Sequence, residues 1–116
     1  MSTLLTGQTG ERIAARWLRR SGCRILARNY RAGRHEIDLI AEERRTGTIL
    51  FVEVKTRTEG GLGRPAEAVN AQKQRFLRLA AGQWLMEHGA QERSARFDVI
   101  EVLLPGKTVN RIENAF

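Results

Sequence analysis

An acid and a base stand two residues apart in an apolar segment of this 116-residue chain. The run Phe51-Val52-Glu53-Val54-Lys55 is rich in β-branched and aromatic residues, which predicts a strand. Because strand side chains alternate between the two faces of a sheet, Glu53 and Lys55 share one face, about 7 Å apart at the backbone. A second carboxylate, Asp38, lies in the preceding strand-like run. If the two strands pair through a hairpin at 43–47, Asp38 comes next to Glu53.

Two carboxylates and one ammonium group in a partly buried place leave an excess of negative charge. Adjacent carboxylates repel one another and lose hydration on burial, so the surplus charge favours a bound cation. Every donor atom is an oxygen, which favours Mg²⁺ or Mn²⁺ over zinc. A metal held by Asp38 and Glu53 retains positions for phosphate and water, as phosphodiester hydrolysis requires. Lys55 beside it can orient the water and stabilise the transition state.

A structural interpretation of the same residues stays open. An isolated Glu-x-Lys pattern is short and common by chance, and these three side chains could form an ion-pair cluster or face solvent. The joint pattern is more specific, because Glu11 lies at the border of the apolar stripe of the first helix, where a carboxylate needs something to face. Alternation places Ile37 and Leu39 on one face of their strand, and Glu36 with Asp38 on the other.

The elements that must position these side chains follow the order α-β-β-β-α-β-β. Thr6 or Thr9 is expected to cap the first helix, Gly22 to end it, and Pro65 to open the second. In chain order the predicted elements are helix 8–21, strands 24–31, 35–42 and 48–56, helix 65–88, and strands 96–104 and 108–112. This order predicts one α/β domain over residues 1–116, with a mixed central sheet flanked by helices.

The chain is strongly basic, with 20 Lys and Arg against 13 Asp and Glu and a formal charge of +7. Residues 1–58 carry 12 basic and 6 acidic side chains, whereas residues 59–116 carry 8 and 7. A small domain this basic most often binds a polyanion, and nucleic acid is the first candidate. The predicted phosphate-binding residues lie in the first helix, in the glycine-rich loop 57–64 and in the second helix: Arg12, Arg16, Arg19, Arg57, Arg64 and Lys73.

Composition also excludes several classes of protein. No apolar run approaches the roughly 18 residues that cross a membrane, and the N-terminal residues do not resemble a secretory signal. Cys23 is the single cysteine, so neither an internal disulfide nor a cysteine-rich zinc site is expected. We therefore expect a cytoplasmic protein with no membrane partner.

Two runs of this chain resemble the YraN family of uncharacterised bacterial proteins: Glu36-Ile37-Asp38-Leu39-Ile40, and Phe51-Val52-Glu53-Val54-Lys55-Thr56-Arg57. Matching segments extend over nearly the whole chain and include Gly10-Glu11, Arg28-Asn29-Tyr30, Arg96-Phe97-Asp98-Val99 and Asn114-Ala115-Phe116. That family is assigned to the PD-(D/E)XK, or restriction-endonuclease-like, nuclease superfamily and is similar to archaeal Holliday junction resolvases. The resemblance implies an αβββαβ core, to which our own interpretation adds a short C-terminal strand.

The resemblance also implies roles for four residues. Asp38 matches the metal-binding aspartate of the superfamily, and Glu53 and Lys55 match its acid and its lysine. Glu11 matches the first-helix glutamate of the resolvase-like members and is counted with the catalytic residues. Ile37 stands where the superfamily's name has proline, a variable position.

The function expected from these features is that of a Mg²⁺- or Mn²⁺-dependent endonuclease-like protein acting on DNA rather than RNA, including branched or repair intermediates. One alternative is a nucleic-acid-binding module whose vestigial site does not cleave. Another is an interaction protein whose charge is incidental. Because the chain has a single site, a homodimer is the simplest assembly that would cut both strands of a duplex.

Overall fold

A computed structural model describes residues 3–58 and 69–116, with side chains from residue 7 onward. Two helices and five strands follow one another in the predicted order, so the chain is an α/β protein with an extra strand at its C-terminal end. In chain order they are α1 (Thr3–Arg20), β1 (Cys23–Ala32), β2 (His35–Glu43), β3 (Ile49–Thr58), α2 (Ala71–Glu87), β4 (Ala95–Leu104) and β5 (Thr108–Ile112).

The strands form one mixed sheet in the order β1-β2-β3-β4-β5. Neighbouring strands are antiparallel except for β3 and β4, which are parallel over their full length. A parallel pair needs a crossover connection, and α2 provides it. Strand β3 is therefore a central strand between β2 and β4, and its glutamate and lysine lie just beyond the last β2–β3 pair, Leu39–Val52.

The two helices pack against opposite faces of this sheet. On the face of α1, the core contains Ala14, Leu18, Leu39, Leu50, Val52 and Ile100. On the face of α2, it contains Ile37, Ile40, Phe51, Leu77, Trp84 and Val99. In the described part of the chain, no helix is both long enough and apolar enough to cross a membrane.

The predicted starts of both helices are wrong. Helix α1 already begins at Thr3, so Thr6 and Thr9 lie inside it and cannot cap it. Helix α2 begins at Ala71 because Asn70, in an extended conformation, accepts a hydrogen bond at its side-chain oxygen from the backbone N–H of Lys73 (2.8 Å). Pro65 and Arg64 lie outside the described residues. The ends are confirmed, since Gly22 and Gly89 follow the helices with positive φ.

Strand β2 departs from simple alternation. Leu39 and Ala41 pack on the α1 face and Ile40 on the α2 face, but Ile37 also packs on the α2 face. The predicted pairing of Ile37 with Leu39 on one face is therefore wrong. The change of face falls between Ile37 and Leu39, on either side of Asp38, where the β2–β3 ladder ends.

Candidate functional site where β2 and β3 separate

Asp38 lies at the point where β2 and β3 stop pairing. The antiparallel ladder joins Leu39–Glu42 to Ile49–Val52 and ends there. Beyond it, the backbone N–H of Val54 donates to Oδ2 of Asp38 over 2.7 Å. The carboxylate thus takes the place of a ladder partner and is held in the gap between the strands, beside Glu53.

Glu53 is buried, and one of its carboxylate oxygens forms ion pairs with two lysines. The Nζ of Lys73 lies 2.6 Å from Oε1 of Glu53, and the Nζ of Lys55 lies 3.4 Å from it. Lys55 is the strand neighbour on the same face, as alternation predicts, whereas Lys73 reaches across from the first turn of α2. The Asn70 cap fixes that turn, so the start of α2 sets the position of the second ammonium group.

A second group of carboxylates lies on the other side of Asp38. Oxygen atoms of Glu11, Glu36 and Asp38 all lie within 4.8 Å of one another, close enough to share one cation. Glu11 reaches this position because α1 packs directly on β3 at Gly10. A Cβ at Gly10 would lie 1.8 Å from Oγ1 of Thr56, so only glycine allows this approach.

Asn29 bridges two of these carboxylates from strand β1. With its amide nitrogen turned towards them, it donates to Oε1 of Glu36 over 2.9 Å and to Oε2 of Glu11 over 3.1 Å. Its backbone has a φ of 49°, in the left-handed region that asparagine tolerates better than most residues. The amide therefore orients the two glutamates without adding charge.

The pKa values of the site reflect this crowding. Burial, and then the charge of Glu53, raise the pKa of Asp38 to about 7, although the hydrogen bond from Val54 acts in the opposite direction. Burial and the charge of Glu36 also raise the pKa of Glu11. Burial lowers the pKa of Lys73, but its hydrogen bond and ion pair with Glu53 outweigh this and raise it overall.

The donor set fits a hard divalent cation. Glu11, Glu36, Asp38 and the neighbouring Glu53 face three cations: Lys55 and Lys73 pair with Glu53, and Arg31 pairs with Glu36 (3.4 Å). These seven side chains carry a formal charge of −1 when all are ionised. The atoms that could hold a cation are the carboxylate oxygens of Glu11, Glu36 and Asp38, a type of ligand that Mg²⁺, Mn²⁺ and Ca²⁺ prefer. A cation there would favour the ionised form of Asp38, whose pKa burial and the charge of Glu53 raise. The coarse prediction of an acidic site able to hold a metal ion is therefore confirmed.

An open pocket of about 300 Å³ gives access to this site from the α2 side. The imidazole of His35, at the start of β2, stacks on Phe76 of α2 with ring centroids 4.0 Å apart. The pair forms part of the pocket wall, and the side chain of Phe76 is only half-buried. The lining comprises Arg34, His35, Glu36, Asp38, Glu53, Lys73, Phe76 and Leu77.

The predicted phosphate-binding arginines do not form one surface. Arg12 and Arg16 line a groove between α1 and β5, whereas Arg19 lines another with Arg28 on the side of β1. Arg57 forms an ion pair with the buried Glu101 on β4 (2.9 Å), which holds its guanidinium against the sheet. Arg64, with the glycine-rich part of its loop, lies outside the described residues.

Two residues of the site have no role in the sequence prediction. Glu36 shares the cluster with Glu11 and Asp38, and Asn29 holds Glu36 in place. The spacing of Glu36 and Asp38 in one strand was an available signal, because residues two apart point the same way. For Asn29 the available signal was only its place in the Arg28-Asn29-Tyr30 segment.

Fold and site together define a class: a small α/β protein with a carboxylate cluster where two strands of a mixed sheet separate. The model of Uncharacterised protein family UPF0102 matches residues 10–102. The chain belongs to this family, which supports the resemblance to YraN proteins. A UPF0102 protein of Alkaliphilus oremlandii is 46% identical over 114 residues, covering 95% of this chain and 96% of its own. One from Rhodococcus jostii is 42% identical over 116 residues and covers 97% of both.

Among solved structures, the chain is similar to Pyrococcus furiosus SfsA, whose structure is in complex with Ca²⁺. The TM-score is 0.36 and the identity 17%, over 97% of this chain and 62% of the other. The chain thus spans less than two thirds of the length of that protein.

Proposed function

We propose that this protein is a metal-dependent endonuclease-like enzyme of the PD-(D/E)XK superfamily that hydrolyses phosphodiester bonds in DNA. One observation carries the proposal: Asp38, Glu53 and Lys55 meet where β2 and β3 separate, with Glu11 close to Asp38. A structural ion-pair cluster needs no excess of negative charge, but this cluster has one.

The roles follow from the positions of the side chains. Asp38 and Glu53 would hold Mg²⁺ or Mn²⁺, and Glu11 and Glu36 would complete or support the coordination. The metal would supply charge neutralisation at the phosphate and an acidified water. Lys55 lies beside Glu53, with Nζ 3.4 Å from its Oε1, and in the proposal it orients water and stabilises charge that develops on phosphate oxygen.

Lys73 has a different role in the proposal. Its ammonium group lies closer to Glu53 than that of Lys55 does (2.6 against 3.4 Å) and neutralises that carboxylate in the absence of a metal. A cation bound beside Glu53 would take over this neutralisation and leave the ammonium group of Lys73 available to a phosphate in the pocket. In the proposal Lys73 therefore remains a phosphate-binding residue.

A non-cleaving nucleic-acid-binding module is the second candidate. The observation in its favour is that the carboxylates already have internal partners, since Lys73 and Lys55 pair with Glu53 and Asn29 bridges the two glutamates. Carboxylates that are already paired in this way allow the protein to fold without a metal, as expected for a site that binds nucleic acid but does not cleave it.

Cleavage assays on duplex, single-stranded and four-way-junction DNA, and on RNA, separate these candidates. We expect cleavage of DNA with Mg²⁺ or Mn²⁺ and none with EDTA. Asp38→Asn and Lys55→Gln should lower the rate by about a hundredfold or more, within the range for metal ligands and transition-state donors. Glu92→Gln, an exposed acid remote from the cluster in sequence, is the matched control and should retain full activity.

Equal cleavage by wild type and both variants would identify a contaminating nuclease and reject the enzyme. Salt-sensitive binding without cleavage in any metal supports the second candidate instead. Isothermal titration with Mg²⁺ and Mn²⁺ gives a readout independent of turnover, because Asp38→Asn should weaken metal binding whether or not the site is active.

A further inference from the structure

An open groove of about 470 Å³ lies between the outward side of α1 and strand β5. It is on the face of the sheet opposite α2 and therefore separate from the pocket that leads to the carboxylates. The side chains that line it are Thr9, Arg12, Ile13, Arg16, Trp17, Arg20, Lys107 and Val109.

The rim of this α1–β5 groove is basic. Arg12, Arg16 and Arg20 recur every four residues, so they rise about 6 Å per step along one side of the helix. All three are exposed, and Lys107 adds a fourth cation from the turn before β5. The described lining contains these four basic side chains and no acidic one, so the groove attracts a ligand with several negative charges in a row.

The floor of the groove is apolar and aromatic. Ile13 and Val109 line the groove with Trp17, which is half-buried and packs partly against the α1 core. The guanidinium of Arg111 lies over the indole ring, 5.2 Å from its centre, and this cation–π contact holds the ring in place. A row of cations beside an indole suits a ligand that has both phosphates and flat apolar groups.

We infer that the α1–β5 groove binds a single nucleic-acid strand, with its arginines on the phosphates and the indole of Trp17 against a base. In a duplex the faces of the bases are stacked and hidden, whereas an unpaired strand offers them to an aromatic side chain. A membrane surface would use the cations but has no flat group for the indole.

The groove also has a geometric relation to the candidate active site. Arg12 directly follows Glu11 in α1, so one end of the groove lies within one helical turn of the carboxylate cluster. A strand in the groove would lead away from that cluster. The inference rests on the nucleic-acid-binding part of the proposed function and is independent of whether the protein cleaves.

Binding of fluorescein-labelled oligothymidine, measured by anisotropy in EDTA so that no metal is present, tests the inference. We expect Trp17→Leu to weaken binding about fivefold or more, because stacking is lost while an apolar side chain remains. Arg16→Gln should weaken binding about three- to tenfold and reduce the slope of log K against log salt by about 0.7.

The matched control is Arg75→Gln, which removes the same charge from the exposed surface of α2. It should change the affinity by less than about twofold. Trp17 packs partly on the core, so thermal melts establish whether Trp17→Leu is folded. The side chain of Arg16 is exposed, so Arg16→Gln should fold normally and still tests the inference if Trp17→Leu does not fold.

The inference would be overturned if Arg16→Gln and Arg75→Gln weakened binding equally, or if binding survived both groove variants. It would also be overturned if an unlabelled duplex competed with the labelled strand as effectively as unlabelled oligothymidine. Preferential binding to phosphatidylglycerol vesicles through Arg16 would also overturn it and assign the groove to a membrane surface. Asp38→Asn separates the two proposals, because it should abolish cleavage and leave oligothymidine binding unchanged.

Discussion

Asp38 is the residue on which the site depends. It interrupts the alternation of β2, replaces a ladder partner of β3 by accepting from the N–H of Val54, and lies between Glu53 and the Glu11–Glu36 pair. Asp38 is half-buried, and its burial, followed by the charge of Glu53, raises its pKa to about 7.

This raised pKa predicts how the metal-free protein responds to pH. A carboxyl with a higher pKa in the folded state binds its proton more tightly there, so protonation favours folding between the unfolded value of 3.8 and about 7. The contribution of Asp38 to the free energy of unfolding should therefore decrease as the pH rises from about 4 to 7. In Asp38→Asn this decrease should disappear, because the amide does not ionise but still accepts from Val54.

Urea unfolding in EDTA at several pH values measures this effect. At pH 8, Asp38→Asn should be more stable than wild type by about 1 to 2 kcal/mol. Addition of Mg²⁺ should restore the stability of wild type and leave the variant unchanged. Parallel pH profiles for wild type and Asp38→Asn would contradict the assignment of charge repulsion to this residue.

At the scale of elements, the contact between α1 and β3 decides whether Glu11 belongs to the site. The helix contacts the strand at Gly10, which packs directly against the side chain of Thr56. Helix α2 has the corresponding role on the other face, since its capped first turn carries Lys73 to Glu53. The middle of α1 and the first turn of α2 thus deliver an acid and a base to the gap between β2 and β3.

Replacement of Gly10 tests this arrangement. In Gly10→Ala, the new Cβ would lie 1.8 Å from Oγ1 and 3.0 Å from Cβ of Thr56, so either the helix or the Thr56 side chain must shift, and a shift of the helix carries Glu11 with it. We expect a loss of about 1 to 3 kcal/mol in unfolding free energy, as for other overpacked contacts, and weaker metal binding because Glu11 moves. Thr56→Ala in the same chain removes the closest atom and should recover part of both losses.

Gly82 in α2 is the matched control for this prediction. A Cβ there meets nothing within 4 Å, so Gly82→Ala should be neutral or add about 0.5 to 1 kcal/mol through helix propensity. If Gly10→Ala were as stable as Gly82→Ala and bound metal normally, the close approach would not be what positions Glu11.

At the scale of the whole molecule, two ion-pair systems have different functions. The carboxylate cluster has surplus charge, whereas Asp98 on β4 is fully buried and fully satisfied. It accepts from Nε of Arg96 and from the backbone N–H of Asn114, each over 3.0 Å. This network holds the C-terminal residues against the sheet, where Phe116 stacks on Phe97 with centroids 4.8 Å apart. Asp98 therefore has a structural role.

Loss of this anchor should destabilise the fold without affecting the site directly. Asp98→Ala leaves Arg96 and the N–H of Asn114 without their buried acceptor, and we expect a loss of about 2 to 4 kcal/mol in urea unfolding. Glu113→Gln removes a half-exposed partner of the same arginine and should have an effect below about 1 kcal/mol.

Hydrogen exchange over residues 110–116 should accelerate in Asp98→Ala alone. Equal effects of the two substitutions would contradict the central role of Asp98.

The basic surface also takes its shape only at this scale. The sequence shows that the first half is basic, and the helical spacing of Arg12, Arg16, Arg19 and Arg20 predicts a single stripe. In the folded chain Arg19 faces β1, while Arg12 and Arg16 face β5 together with Lys107 from the other end of the chain. A helical wheel cannot show this division, because it depends on which strands lie at each side of the helix.

The sequence by itself determined the order of the elements, the mixed sheet and the neighbourhood of Asp38, Glu53 and Lys55. Alternation and hairpin pairing are local properties, and they place these residues correctly before any tertiary contact is known. Tertiary structure alone decided that Glu36 and Asn29 join Glu11, that Lys73 pairs with Glu53, and that β2 changes phase at Asp38. These contacts join residues from α1, α2 and three strands, and their distances depend on packing, which no short stretch of sequence encodes.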